Sequence, residues 1–427
     1  MRLPVTLSLV ILVYISSAQC PTGLKVDNQS YYDTPVLTAT ATDNLPEVAS
    51  LKRFCPKPGN QLNHLTSAGW ATAYYATTIL HARQSGQIDI NTISREAFSP
   101  TYTHYAIQGE NADCSIPVSI KESLDVLVNE GVPFFTEYPY FCPDTPPGRV
   151  NLSTISGYSK VFNSYDPPEV KIIKIKTALS QGLPVVIALQ TSSSFCEPGE
   201  LWSPSTPIGT SGHHAICIIG YDDNKYDGSF ELINSYGKNW GSNGFIHVPY
   251  NKLLDRISEA FAAFLFPDEQ EFKMKVNISS NYGSKMPVRS DKRCSYAFTK
   301  GYGNGHQFKF DIQTDFHGYL YLYYFNDRGE NGLLFPGNEH SSGELPFDVT
   351  AIHLPGKNRY IQLDNHPGEE TMVIVLSINS LTIDQIKQTI EDAPNESLRC
   401  DPENLQVMGK INRTNTNAII QIGLDHI

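Results

Sequence analysis

The sequence predicts an α+β protein in two parts: a helix-first, strand-later domain over residues 46–267 and a smaller β-rich domain over residues 268–427. Three observations carry this reading. From Ser67 to Arg83 alanines and aromatic residues fall on nearly every face, the mark of a helix buried on most sides. After Pro184 the pattern turns to short apolar strands, and beyond Pro267 it becomes alternation, the period of a half-buried sheet. At 427 residues the chain is long enough for two or three domains with real cores.

Residues 1–18 have the layout of a secretory signal peptide: Met1-Arg2, an apolar run from Leu3 to Ile15, then Ser16-Ser17-Ala18 with cleavage expected after Ala18. The run is shorter than the roughly 20 residues that span a bilayer. A secreted protein, or one of a lysosome-like compartment, is therefore expected. Residues 19–45 are polar and aperiodic and read as a flexible leading segment. Helices are predicted over Val118 to Glu130 and Val170 to Gln181. Strands follow at Val185 to Leu189, Ala215 to Tyr221, Phe230 to Asn234 and Gly244 to Val248. In the second domain Phe308, Phe310 and Ile312 alternate with polar residues, and Tyr319, Tyr321, Tyr323 and Phe325 are read in the same way. A short helix follows, with Thr382 and Gln385 spaced as a capping box and Ile383, Ile386 and Ile390 on one face.

Composition excludes several classes of function. With 44 Asp plus Glu against 32 Lys plus Arg the net charge is -12, and no basic cluster interrupts it. Nucleic acid is not an expected partner, and neither is a membrane once the signal is removed. Eight cysteines in an exported chain point to disulfides, with Cys294 and Cys400 expected to be paired or both buried and Cys217 read as a buried free thiol. Sequons stand at Asn28, Asn151, Asn277, Asn395 and Asn412, the acceptor pattern of a glycoprotein. The run Asp222 to Gly228 lacks the closing glutamate of a calcium loop and reads as a hairpin turn. No metal motif or nucleotide-binding glycine loop occurs, so no cofactor is expected.

The chemistry-bearing residues are Gln61, Ser67 six positions later, His214-Ala215, and Asn234-Ser235-Tyr236-Gly237 followed by Trp240-Gly241. Their order, together with Phe54-Cys55-Pro56, Trp70 and Gly182-Leu183-Pro184-Val185-Val186, resembles the papain-like cysteine peptidases over roughly Leu45 to Pro267. The local spacing is more similar to the divergent bacterial-type branch than to the plant enzymes. The resemblance implies a two-lobed papain-like fold, helical lobe against antiparallel β lobe, with the cleft between them. It also implies site roles: Ser67 at the nucleophile position, His214 as its base, Asn234 orienting the imidazole and Gln61 at the oxyanion hole. Leu62, Leu65, Tyr236 and Trp240 would shape the cleft, with Trp240 shielding the contact between Asn234 and His214. The segments around Gly318, Leu333 and Pro367 resemble a β-rich domain of unknown function that trails peptidase modules.

A thiol is missing where the resemblance wants one. A cysteine's reference pKa of about 8.5 can be drawn to roughly 3.5–7.5 by a helix N-terminus and a neighbouring imidazole, but a serine hydroxyl is out of such reach. Ser67 would need concerted base catalysis, and the neutral Asn234 cannot stabilise the imidazolium as a buried carboxylate does. Leucines at 62 and 65, where the family has glycines, imply a reshaped or filled oxyanion loop. The expected function is a secreted pseudopeptidase that binds a peptide or protein in its cleft without cutting it. The alternatives are a slow serine-nucleophile endopeptidase, and a scaffold whose C-terminal β domain mediates interaction.

Overall fold

The computed structural model describes residues 22–37, 45–109, 112–142, 148–205, 212–292, 294–337, 342–346, 350–356, 359–392 and 398–427. The signal peptide at residues 1–18, its cleavage site and the sequon at Asn395 lie outside the described residues.

Helix α1 (Asn28–Asp33) precedes the first domain proper, and the Asp27 side chain caps it by accepting from the Ser30 N–H. Helix α2 (residues 67–84) starts regularly at Ser67, widens to i→i+5 pairing over Trp70–Thr77 and ends regularly over Thr78–Gln84. Its alanines at 68, 71, 73 and 76 are buried, which lets neighbouring elements approach closely. A methyl group on Gly69 would lie 1.9 Å from the carbonyl oxygen of Pro100, the first residue of the helix Pro100–Gln108. Around α2 stand α3 (Ile90–Arg95), α4 (Pro100–Gln108) and α5 (Ile120–Asn129), the last opened by a Ser119 and Glu122 capping box.

The second lobe is an antiparallel sheet. Its strands are β1 (Val48–Ser50), β2 (Gly157–Lys160), β3 (Val185–Gln190), β4 (His213–Asp222), β5 (Ser229–Ile233), β6 (Phe245–Pro249) and β7 (Ile257–Phe264). They run in the order β2-β7-β3-β4-β5-β6, with β1 on β4. Strand β4 is buried over His214–Tyr221 because α2 and α6 (Pro168–Ser180) both pack on it. Asp222 to Gly228 forms the expected hairpin connection between β4 and β5.

The second domain stacks two sheets. One contains Glu269–Ser280, Gln307–Thr314 and Gln406–Asn412, the other Gly318–Asn326, Gly368–Ser377 and Asn417–His426. Phe272, Met274, Val276 and Ile278 meet Leu320, Leu322, Ile374 and Ile420 in the core between them. The reading of Gly318–Asn326 as half-buried is corrected here. Leu320 and Leu322 face that core, while Tyr319, Tyr321 and Tyr323 pack on the other side into the core that also holds the first domain. The strand is buried on both faces because Tyr319 meets the first domain, its hydroxyl donating to the Ser156 carbonyl at 3.2 Å and its ring standing 5.5 Å from Phe266. Helix α8 (Ile383–Glu391), after α7 (Tyr250–Leu254), opens with the expected capping box at Thr382 and Gln385.

Among the described residues the cysteines divide as Cys114–Cys142 and Cys294–Cys400 disulfides, a disulfide-bonded Cys196, and two buried free thiols, Cys55 and Cys217.

The leading segment is also corrected. Residues 22–37 are packed against the first domain: Leu24, Tyr31 and Leu37 are buried, and the Tyr31 hydroxyl donates to the Phe162 carbonyl at 2.7 Å. Apolar residues spaced through a polar stretch hold it there.

Candidate functional site

Helix α2 sets one wall of the site. Ser67 is its first residue, after Thr66, and is fully buried. Strands β4 and β5 set the other wall: His214 lies at the start of β4, and Asn234 follows the last residue of β5. The β4–β5 pairing, with Cys217 opposite Ile233, carries the histidine and the asparagine to the same end of the sheet.

His214 Nε2 lies 2.7 Å from Asn234 Oδ1. That oxygen also accepts from the Ser235 N–H at 2.8 Å, so the amide is oriented and Nε2 carries the imidazole hydrogen. Nδ1 is then the lone-pair nitrogen, and the Tyr236 hydroxyl donates to it at 3.3 Å. The ring is buried, and burial pulls its pKa down to about 4 against the supporting bond from Asn234. The imidazole is neutral at pH 7.

Ser67 turns elsewhere. Its hydroxyl donates to the Gly23 carbonyl at 3.3 Å and accepts from the Ala215 N–H at 3.2 Å. Among the described residues it makes no hydrogen bond to His214. Gln61 is buried between the lobes: its Nε2 donates to the His64 carbonyl at 2.7 Å, and its Oε1 accepts from the Ser235 hydroxyl at 2.6 Å.

The leucines behave differently from each other. Leu62 stands at φ 56 and is 56% exposed, so it holds a left-handed backbone that favours glycine but does not fill the site. Of the reshaped or filled loop expected at this position, Leu62 contradicts only the filled form. Leu65 packs on residue 23, where a methyl group would lie 2.4 Å from its Cβ. Tyr236 and Trp240 join Phe195 in an aromatic wall: the His214 ring centroid is 4.8 Å from Tyr236 and 5.9 Å from Phe195, and Trp240 is 5.1 Å from Phe195. The Trp240 indole N–H donates to the Phe195 carbonyl at 2.8 Å.

Sequence reasoning missed Thr22 to Val26, which cross the cleft. A methyl group on Gly212 would meet the Thr22 hydroxyl at 2.5 Å, Gly23 covers Ser67, and the Lys25 N–H donates to the Val118 carbonyl at 3.3 Å. Lys25 Nζ pairs with Glu122 at 2.6 Å, and the Asp27 N–H donates to the Glu259 carboxylate at 2.7 Å. The available signal was the pair Leu24 and Val26 just before the helix-capping Asp27. A cavity of about 790 Å³ lies between the domains, lined by His81, Ser156, Tyr319 and Arg413, and does not reach Ser67.

Residues 106–262, which include His214 and Asn234, match the family model of the papain family cysteine protease. The chain carries a papain-family domain. Residues 301–379 match a domain of unknown function, DUF4384. Among curated relatives, the chain is 33% identical to an uncharacterised peptidase C1-like protein of Acanthamoeba polyphaga mimivirus over 90 residues, 20% of this chain and 28% of that protein. It is 25% identical to a probable cysteine protease of Arabidopsis thaliana over 135 residues, 30% of this chain and 34% of that protein. The chain thus matches about a third of these relatives' own length. Among solved structures it is similar to digestive procathepsin L 3 of Tenebrio molitor larval midgut, with TM-score 0.46 and 16% identity over 58% of this chain and 77% of that one. Xylellain of Xylella fastidiosa gives TM-score 0.45 and 20% identity over 58% and 98%. Gln61 and Ser67 lie before the residues matched to the papain family, and tertiary contacts join them to that domain.

Proposed function

We propose that the papain-family domain is a non-catalytic cleft that holds an extended peptide, and that its resident peptide is the chain's own Thr22 to Val26. Ser67 stands where the family has its nucleophilic thiol. The observation that carries this reading is the divergence of Ser67 and His214: the hydroxyl bonds to Gly23 and Ala215, and the imidazole nitrogen that would take its proton bonds to Tyr236. A general base must reach the proton it removes. The disulfides accord with an oxidising, exported setting. The segment is expected to be exchangeable for another peptide or a partner protein of extended form.

The test uses the full chain and its Leu24→Asp variant, which places a carboxylate at a buried position of the segment. A fluorescein-labelled peptide of residues 22–28 is expected to bind the variant saturably and the unmodified chain at least tenfold more weakly. Equal binding to both, or none to either, ends the proposal of a peptide-holding cleft. Casein hydrolysis is expected to be undetectable for both. Hydrolysis that disappears in His214→Ala would instead establish a serine-nucleophile endopeptidase, the reading that the intact bond from His214 to Asn234 favours next.

A further inference from the structure

We propose that the C-terminal β-rich domain holds a divalent transition-metal ion, Zn²⁺ first among them, between Asp364, Glu370 and His426. One ligand atom from each of these side chains lies within 4.8 Å of the others. The sheet fixes two of them. His426 pairs with Gly368 across the antiparallel ladder, and Glu370 is two residues further along that strand, so both side chains stand on one face. Asp364 comes from the segment leading into the strand of Glu370.

His426 is the observation that points to a ligand. Its side chain is fully buried, and Nε2 lies 2.8 Å from Asn304 Oδ1, an acceptor, so Nε2 carries the hydrogen. Nδ1 is left as a buried lone pair that makes no hydrogen bond among the described residues. It faces Asp364 Oδ1 at 3.7 Å and Glu370 Oε1 at 4.0 Å. Asp364 Oδ1 and Glu370 Oε1 take donors from outside the cluster, the His366 N–H and the Arg328 guanidinium, but no donor lies between them and Nδ1, and a proton on Nδ1 could not bridge gaps of that length. A cation between them meets all three. Bonds of roughly 2.0–2.2 Å to nitrogen and oxygen put the donors around a tetrahedral zinc roughly 3.4 Å apart, so the distances of 3.7 and 4.0 Å from Nδ1 need to contract by a fraction of an ångström, and the two carboxylate oxygens, within 4.8 Å of each other, close the rest by side-chain rotation. The hydrogen bond from the second imidazole nitrogen is the contact that orients metal-binding histidines.

The surrounding charges leave room for a dication. Arg328 flanks the cluster: Nη1 donates to the His366 carbonyl at 2.7 Å, and Nη2 reaches Glu330 at 2.9 Å, Asp364 Oδ2 at 3.2 Å and Glu370 at 3.5 Å. It offsets one of three carboxylates and takes the Asp364 oxygen turned away from His426. Asp364 Oδ1 accepts from the His366 N–H at 2.8 Å, and His366 Nδ1 lies 3.1 Å from Oδ2. The imidazole donor selects against calcium and magnesium, which take all-oxygen sets. A cavity of about 260 Å³ beside the cluster, lined by Asp364, Glu370, Arg328 and Tyr324, gives the ion an open position for water or an anionic ligand.

The test is calorimetric titration of the EDTA-stripped full chain with ZnCl₂, with the melting temperature followed in parallel. One Zn²⁺ per chain is expected to bind and to raise the melting temperature. Asp364→Asn and His426→Gln should each weaken that binding at least tenfold and remove the rise, while His353→Ala, on the strand that pairs with Gln307–Thr314 in the other sheet, keeps both. If His426→Gln does not fold, Asp364→Asn decides alone, because its side chain is 45% exposed and no core depends on it. Equal Zn²⁺ binding by the unmodified and Asp364→Asn chains, no saturable binding, or tighter binding of CaCl₂ than of ZnCl₂ overturns the assignment.

Discussion

The Gly23 carbonyl oxygen accepts the Ser67 hydroxyl hydrogen at 3.3 Å, a contact between residues 44 positions apart that closes the cleft over the start of α2. Gly23 can lie there because it has no side chain: a methyl group would meet Leu65 Cβ and Cδ2 at 2.4 Å. Since Cβ is fixed to the backbone, relief requires the segment itself to move.

Gly23→Ala is therefore expected to undock the segment. In a Ser67→Cys background the thiol should react with iodoacetamide at least tenfold faster when residue 23 is alanine, measured by mass spectrometry of the peptide containing residue 67. Equal rates would show that the segment does not guard the site.

Tyr236→Phe should leave Nδ1 of His214 as a buried acceptor without its tyrosine donor. The expected loss is about 1–3 kcal/mol of stability, read from urea denaturation, with no gain of peptide hydrolysis. A neutral effect on stability would mean that the bond from Tyr236 to His214 is not formed in solution.

Burial raises the carboxyls of Glu344 and Glu259 to about 7. A carboxyl with a higher pKa folded than unfolded binds more protons when folded. Its contribution is fully present below about pH 4.3 and is lost as pH rises through about 7. His214, lowered to about 4, acts in the opposite sense: its contribution is present above about pH 6.5 and lost as pH falls towards 4. Glu344, which accepts from the Ser159 hydroxyl across the domain junction, can be tested alone. Glu344→Gln keeps an acceptor but no charge, so it should raise the melting temperature at pH 8 and leave it nearly unchanged at pH 5. A drop at pH 8 would show that the ionised carboxylate is favourable there.

The Cys294–Cys400 disulfide joins residues 106 positions apart and so restricts a long loop of the unfolded chain. Replacing both cysteines by alanine is expected to cost about 2–5 kcal/mol, measured as a shifted denaturant midpoint of the second domain. An unchanged midpoint would mean that the bond is not formed in the isolated protein.

Period and spacing made much of this legible in the sequence. All-round burial marked α2, and predicted strands from Val185 to Val248 match β3 to β6 within two residues at each end, because periodicity is a local property that the fold preserves. Gln61, Ser67, His214 and Asn234 were also legible as a set, since their residue types and order are written in the chain. Which atom each would bond to was not. The Ser67 hydroxyl meets Ala215 over 148 residues and Gly23 over 44, and His214 meets Tyr236 over 22. Such pairings depend on where sheet register and helix packing leave each side chain, to within a few tenths of an ångström. The second face of Gly318–Asn326, the docking of residues 22–37 and the convergence on His426 share that cause: a strand shows its own alternation, but only its neighbours in space decide what covers it.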